Sequence, residues 1–113
     1  MLDDIASLTL QTAVAGLSTR QQVTSNNIAN VETPNYIGNT VSFEASLADA
    51  VASGDPTKAE FTTTPVALNP GINGNNVNLS DEVVTATKTG LQESLLTGAI
   101  TSKYGLISAV LKG

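Results

Sequence analysis

The side chains able to do chemistry are few, and their spacing partners them poorly. Two pairs of adjacent carboxylates occur, Asp3/Asp4 and Asp81/Glu82. Both sit where helices begin, and there such pairs answer the positive end of the helix dipole far more often than they share acid and base roles. Hydroxyls are plentiful, with 15 Thr and 10 Ser, but the 113 residues include no His and no Cys. A hydroxyl without a neighbouring base is a poor nucleophile. The Ser-His-Asp arrangement, thiolate zinc sites and disulfide frameworks are excluded outright. Lys58, Lys88 and Lys103 stand in no catalytic motif. With Arg20 and Lys112 they make 5 cations against 10 carboxylates, a net charge of −5, and no basic stripe to follow a phosphate backbone. The expectation is a chain that is not an enzyme, holds no cofactor or metal and binds no nucleic acid.

What remains is polarity without charge. Only 13% of residues are charged, where an ordinary globular chain carries roughly 25%. Ten Asn join the Thr and Ser, while only Tyr36, Phe43, Phe61 and Tyr104 are aromatic. A chain of this size buries about two-thirds of its unfolded surface, so with few bulky core fillers it should be marginal as a monomer. No unbroken apolar run approaches 18 residues, which predicts no transmembrane segment. Asp3 and Asp4 precede any cation, the reverse of a secretory signal peptide, so none is expected.

The elements that must position these residues fall into three parts, read as one structural unit of mainly α class. Residues 1–30 form a helix in which Leu10, Val14, Leu17, Gln21, Thr24 and Ile28 recur at alternating spacings of four and three, a heptad seam softened by its polar members. Residues 31–79 hold all 4 prolines and the turn-forming runs Asn69-Pro70-Gly71 and Asn73-Gly74-Asn75, so no long helix crosses them. One short helix is expected at 43–53, capped by Ser42 and stopped at Gly54-Asp55-Pro56. Thr62 to Leu68 reads as extended, with Pro65 marking an edge strand. Residues 80–113 form the second long helix, with Ser80 as its cap and Asp81 and Glu82 in the first turn.

That last helix carries two apolar seams side by side. One runs through Val84, Leu91, Leu95, Ala99, Leu106 and Val110, the other through Leu96, Ile100, Tyr104, Ile107 and Leu111. At 100° per residue they cover roughly 220° of the circumference, wider than one partner helix buries. The remaining arc of Ser94, Thr97, Gly98, Thr101, Gly105 and Ser108 holds no charge. A solvated face would carry Lys and Glu, so this arc reads as a second packing surface. The two long helices are expected to pair as a hairpin or coiled-coil-like bundle, leaving apolar area for other chains. Self-association by head-to-tail contacts is one reading, and a three-helix bundle with a Thr- and Ser-rich surface is the other.

The helix end carries Asn26-Asn27-Ile28-Ala29-Asn30-Val31-Glu32-Thr33-Pro34-Asn35-Tyr36. This run closely resembles the signature of bacterial flagellar axial proteins, the rod and hook families. There Asn-Ile-Ala-Asn closes the N-terminal helix and Thr-Pro-Gly/Asn-Tyr follows. The physics agrees: Asn competes for backbone hydrogen bonds, so Asn26, Asn27 and Asn30 can serve the helix end, and Asn35 tolerates positive φ as glycine does. Val41 to Ala50 and Gly74 to Val83 are similar to segments of the proximal rod branch of the family. Its short length also fits, because distal rod and hook proteins carry inserted domains. Ile37-Gly38 and Asn78 depart from the family pattern, where a basic residue and Asp are usual.

The resemblance implies a structural subunit of the basal-body rod, exported without cleavage of a signal peptide and assembled in the periplasm. It implies partners among other rod subunits, the basal-body ring and the export gate. Signature residues on this reading are Asn26, Asn27, Ile28, Ala29, Asn30, Thr33, Pro34 and Tyr36. The expected assembly surfaces are Leu10, Val14, Leu17 and Ile28 against Leu91, Leu95, Ile100 and Ile107, with packing of the two helices inside one chain as the other reading of each. The alternatives are the second short proximal-rod protein of the same family or, outside it, a small secreted helical binding module.

Overall fold

The computed structural model describes residues 4–112. Two long helices run along a slab of 64 × 27 × 14 Å, and the Cα radius of gyration is 17.5 Å where a compact chain of this length has about 13 Å. Helix α1 spans Ile5–Ala29 and α3 spans Leu79–Lys112. Between them lie strand β1 (Asn39–Ser42), helix α2 (Glu44–Ala52), a 3₁₀ turn at Pro56–Lys58 and strand β2 (Thr62–Pro65). The chain is therefore mainly α, with long terminal helices and one small sheet.

Helix α1 starts because the Asp4 carboxylate accepts the Ser7 N–H at 2.7 Å. It ends at Asn30, whose N–H donates to the Asn26 and Asn27 carbonyls and whose Nδ2 donates again to Asn26 O at 2.8 Å. The cap of α3 differs from the expected Ser80. The helix begins at Leu79, and Asn78 Oδ1 accepts the Asp81 N–H at 3.1 Å, which leaves Ser80 inside the first turn. The expected Ser42 cap of α2 is also absent. Ser42 belongs to β1, paired with Thr62, and Phe43 occupies the cap position without a side-chain bond. Gly54, at φ 93°, takes the chain out of α2 where a stop was expected.

Helices α1 and α3 are antiparallel neighbours. Gln21 reaches Ala86, Asn27 reaches Glu82 and Asp4 reaches Lys103, so numbers fall along one helix as they rise along the other. Strands β1 and β2 pair antiparallel with Asn39 opposite Pro65 and Ser42 opposite Thr62. β1 lies against α1. The apolar core is small: Leu17, Val41 and Phe43, flanked by Ala13, Val23, Leu47 and Leu96. The Phe43 ring stands edge-on to Phe61 at 5.6 Å, and the Arg20 guanidinium lies 4.9 Å over its face. By length and composition α3 is apolar enough to cross a membrane, although Thr, Ser and Lys103 interrupt its apolar runs.

Candidate functional site

Polar side chains, more than apolar ones, hold the corner where α1 turns toward the sheet. Asn27 is 1% exposed and uses its whole amide. Its Nδ2 donates to Asn39 O at 2.7 Å and to Glu82 Oε1 at 3.1 Å. Its Oδ1 accepts the Asn39 N–H at 3.0 Å and the Tyr36 hydroxyl at 3.3 Å. The pair of hydrogen bonds to Asn39 is what a neighbouring strand would make, so the Asn27 amide covers the outer edge of β1. Arg20 continues that cover one pleat on, donating to Val41 O at 2.6 Å.

Asn76 performs the same service at the end of the ladder. Val66 N–H donates to Gly38 O at 2.8 Å, but the return bond is replaced by an inserted amide. Gly38 N–H donates to Asn76 Oδ1 at 2.8 Å, and Asn76 Nδ2 donates to the Val66 and Leu68 carbonyls at 3.0 Å each. Asn75 ties the same segment to the end of α1, donating to the Asn30 and Thr33 carbonyls at 2.8 Å. Each buried amide is thus satisfied, as burial requires. The turn after Pro34 closes with Asn35 at φ 61° and its N–H on Asn73 O at 2.9 Å. Gly74, at φ 80°, packs on Asn35 so closely that an added Cβ would lie 3.1 Å from Asn35 Cα.

The signature residues therefore divide. Asn27 is turned inward to β1 and α3 and does not serve the helix end, in contrast to the sequence expectation. The sheet edge offers it two hydrogen bonds, Glu82 on α3 and the Tyr36 hydroxyl offer one each, and the helix terminus already has Asn30. Ile28, Asn30 and Tyr36 are half-buried, whereas Asn26, Ala29, Thr33 and Pro34 face outward. Thr33 Oγ1 donates to Asn30 Oδ1 at 3.1 Å.

The eight helix-seam candidates also divide. Leu17 is in the core, and Leu10, Val14, Ile28 and Ile100 are half-buried within the hairpin. Leu91 and Leu95 are 63% and 73% exposed. The side chain of Ile107, like those of Tyr104 and Leu106, lies outside the described residues. Of the two seams on α3, the one through Leu96 and Ile100 faces α1, and the one through Val84, Leu91, Leu95 and Val110 stands open. Around Leu95 this open stripe runs into an apolar groove of about 580 Å³ lined by Ala13, Leu17, Phe43, Leu47, Val51 and Leu96. Ser94, Thr97, Gly98, Thr101, Gly105 and Ser108 are all exposed.

Electrostatics here fasten elements together. The Arg20 guanidinium grips both Glu44 oxygens at 2.7 and 2.8 Å and holds that carboxyl at about 2, well below its ordinary 4.5. The Ser7 N–H, and then Lys103 at 3.0 Å, bring Asp4 to about 2. Among the described residues no group of three His, Cys, Asp or Glu side chains could hold a metal. Sequence reasoning missed β1 and the inward roles of Asn75 and Asn76. The available signal was the Asn-Asn pair before Val77, which reads as turn chemistry until a sheet edge is placed beside it.

A family model described as flagella basal body rod protein matches residues 8–36, the stretch from the first turns of α1 through Tyr36. The chain is 30% identical over 118 aligned positions to the flagellar basal body rod protein FlgB of Bacillus subtilis, covering 92% of this chain and 91% of that protein. It is 28% identical to the flagellar basal body rod protein FlgB of Borreliella burgdorferi, covering 85% and 87%. The similarity thus runs through both long helices and the corner between them, and the chain belongs to the flagellar basal-body rod protein family.

Proposed function

We propose that the chain is a structural, non-enzymatic subunit of the proximal end of the rod, built into the axial drive shaft for motility. It packs against other rod subunits through the open face of α3, with Leu91 and Leu95 as its centre. Leu10, Val14, Leu17, Ile28 and Ile100 act one step back, holding the hairpin that presents that face. The basal-body ring and the export gate are the further partners of this reading. Assembly then takes place in the periplasm after export without a cleaved signal peptide. That both relatives are FlgB proteins favours this subunit over the second short proximal-rod protein.

The observation that carries the reading is surface left uncovered. The chain exposes 6996 Å², where a compact monomer of 11.6 kDa exposes about 5,800 Å². The difference exceeds the roughly 800 Å² that one partner contributes to an ordinary interface. The decisive experiment is fractionation of flagellar basal bodies. The chain is expected there in fixed stoichiometry with other rod proteins, and its absence would overturn the proposal. A purified chain whose helicity and melting are unchanged by dilution would instead favour a monomeric binding module.

A further inference from the structure

At the corner end, the turn Gly71–Asn75 lifts one apolar side chain clear of the molecule. Ile72 is 111% exposed, more than in an extended chain, yet its backbone is anchored on both sides. Gly71 N–H donates to Asn75 O and Gly74 N–H to Gly71 O, each at 2.9 Å, and Asn73 O accepts the Asn35 N–H. Leu68, 47% exposed, follows the same strand exit. A rigid apolar knob loses little entropy on docking, which is the property of an interface anchor. Segments 30–38 and 66–86, which make up this end of the chain, carry Glu32, Asp81 and Glu82 and contain no cation.

The opposite character lies along α3. The open stripe of Val84, Leu91 and Leu95 is flanked by exposed Lys88, which makes no ion pair among the described residues. Within one copy the knob and the Leu95 end of the stripe lie far apart. Leu95 lies 16 residues beyond Leu79, about 24 Å along the helix, while Asn75 holds the knob beside Asn30 and Thr33 at the other end. In a contact between copies, the apolar knob would meet an apolar stripe and the carboxylates of the knob end would meet Lys88. Such a contact joins two different patches, so every copy that docks its knob still offers a stripe, the arrangement that extends rather than closes an assembly.

Taking the rod-subunit reading as its basis, we propose that the Ile72 turn of one copy docks on the Val84–Leu91–Leu95 stripe of a second copy of this chain, with Lys88 facing Asp81 or Glu32. The absence of cysteine from the chain makes the test clean. Full-length Ile72→Cys and Leu95→Cys chains are mixed under oxidising conditions, both purified at high concentration and co-expressed in cells whose basal bodies are isolated. The mixed disulfide dimer should exceed either homodimer at least tenfold, and neither variant alone should cross-link. A Leu95→Cys homodimer of equal yield overturns the proposal, because the stripe then pairs with itself. Cross-linking to a different rod protein, or none in a chain that does enter basal bodies, also overturns it while leaving the rod reading intact. If wild-type chain never enters basal bodies, the rod reading fails, and cross-linking of the purified chain still decides the contact. As an independent arm, Lys88→Glu should abolish the mixed dimer and Lys88→Glu with Asp81→Lys should restore it. Failure of that rescue, with Glu32→Lys equally ineffective, counts against the charge pairing.

Discussion

Gly16 and Phe43 are in direct contact across the α1–α2 junction: a Cβ built on Gly16 would lie 2.7 Å from the Phe43 ring. The glycine weakens α1 by about 1 kcal/mol relative to alanine, and what it provides is the seat for the largest core side chain. Around that ring gather Phe61, Arg20 and, through Arg20, Glu44 and Val41. Much of the apolar core hangs on one missing methyl group.

Gly16→Ala should therefore destabilise the chain despite its gain in helix propensity. Overpacking of this kind costs about 1–3 kcal/mol, more than the gain. Urea unfolding of the two purified chains measures the difference. An alanine variant as stable as the parent would mean that the ring is free to move away.

Asn27→Asp should make the corner more stable in mild acid than at neutral pH. The new oxygen replaces the Nδ2 that faces Glu82 Oε1 and Asn39 O, so carboxylate meets carboxylate and carbonyl. Crowding by negative charge and burial raise the folded-state pKa above the unfolded value near 4. A raised folded pKa favours the folded state below the unfolded pKa, and that advantage is lost as pH rises through the folded value. Melting of the variant should improve between pH 7 and pH 4. Asn27→Ala, with no titrating group, should be destabilised by about 2–4 kcal/mol at both pH values, because it leaves buried partners unpaired.

The Arg20–Glu44 grip carries the opposite sign. Glu44 titrates at about 2 when folded, so its contribution is complete above its ordinary 4.5 and is lost as pH falls toward 2. Its side chain is 61% exposed, and solvent screening holds the effect to about 1 kcal/mol or less. Glu44→Gln should lower stability near neutral pH and flatten the acid limb of a thermal-melt series. An unchanged limb would assign the acid response to other carboxylates.

Leu95→Asp should separate folding from assembly. Leu95 is mostly exposed in the isolated chain, so helicity and melting should stay within about 0.5 kcal/mol of the parent. Incorporation into basal bodies and swimming motility should be lost, since a charge buried against a neighbour is left unpaired. Normal rod completion in this variant would remove Leu95 from the assembly face.

Much of the architecture is legible in the residues themselves. The two long helices follow from heptad spacing, the turn at Asn35 from the tolerance of Asn for positive φ, and the end of α2 from Gly54-Asp55-Pro56. The run Asn26 to Tyr36 marked the family. The helix caps are less legible. Ser42 and Ser80 are good local candidates, yet a strand claimed one and the preceding asparagine displaced the other. Such competition is set by neighbours distant in sequence, and local propensity does not see them.

The sequence by itself determined that α3 has more apolar surface than one helix can cover and that its charge is confined to few positions. It did not determine which seam turns inward. Periodicity makes Leu91 and Leu95 equivalent to Leu96 and Ile100. The choice comes from long-range registration: Gln21 on Ala86, Asn27 on Glu82 and Asp4 on Lys103 rotate α3 so that Leu96 faces the core. The same registration brings β1 beside α1, where Asn27 becomes the partner of a sheet edge. A heptad pattern specifies a stripe, and only the tertiary contacts, which satisfy every buried amide at the corner at once, decide what that stripe faces.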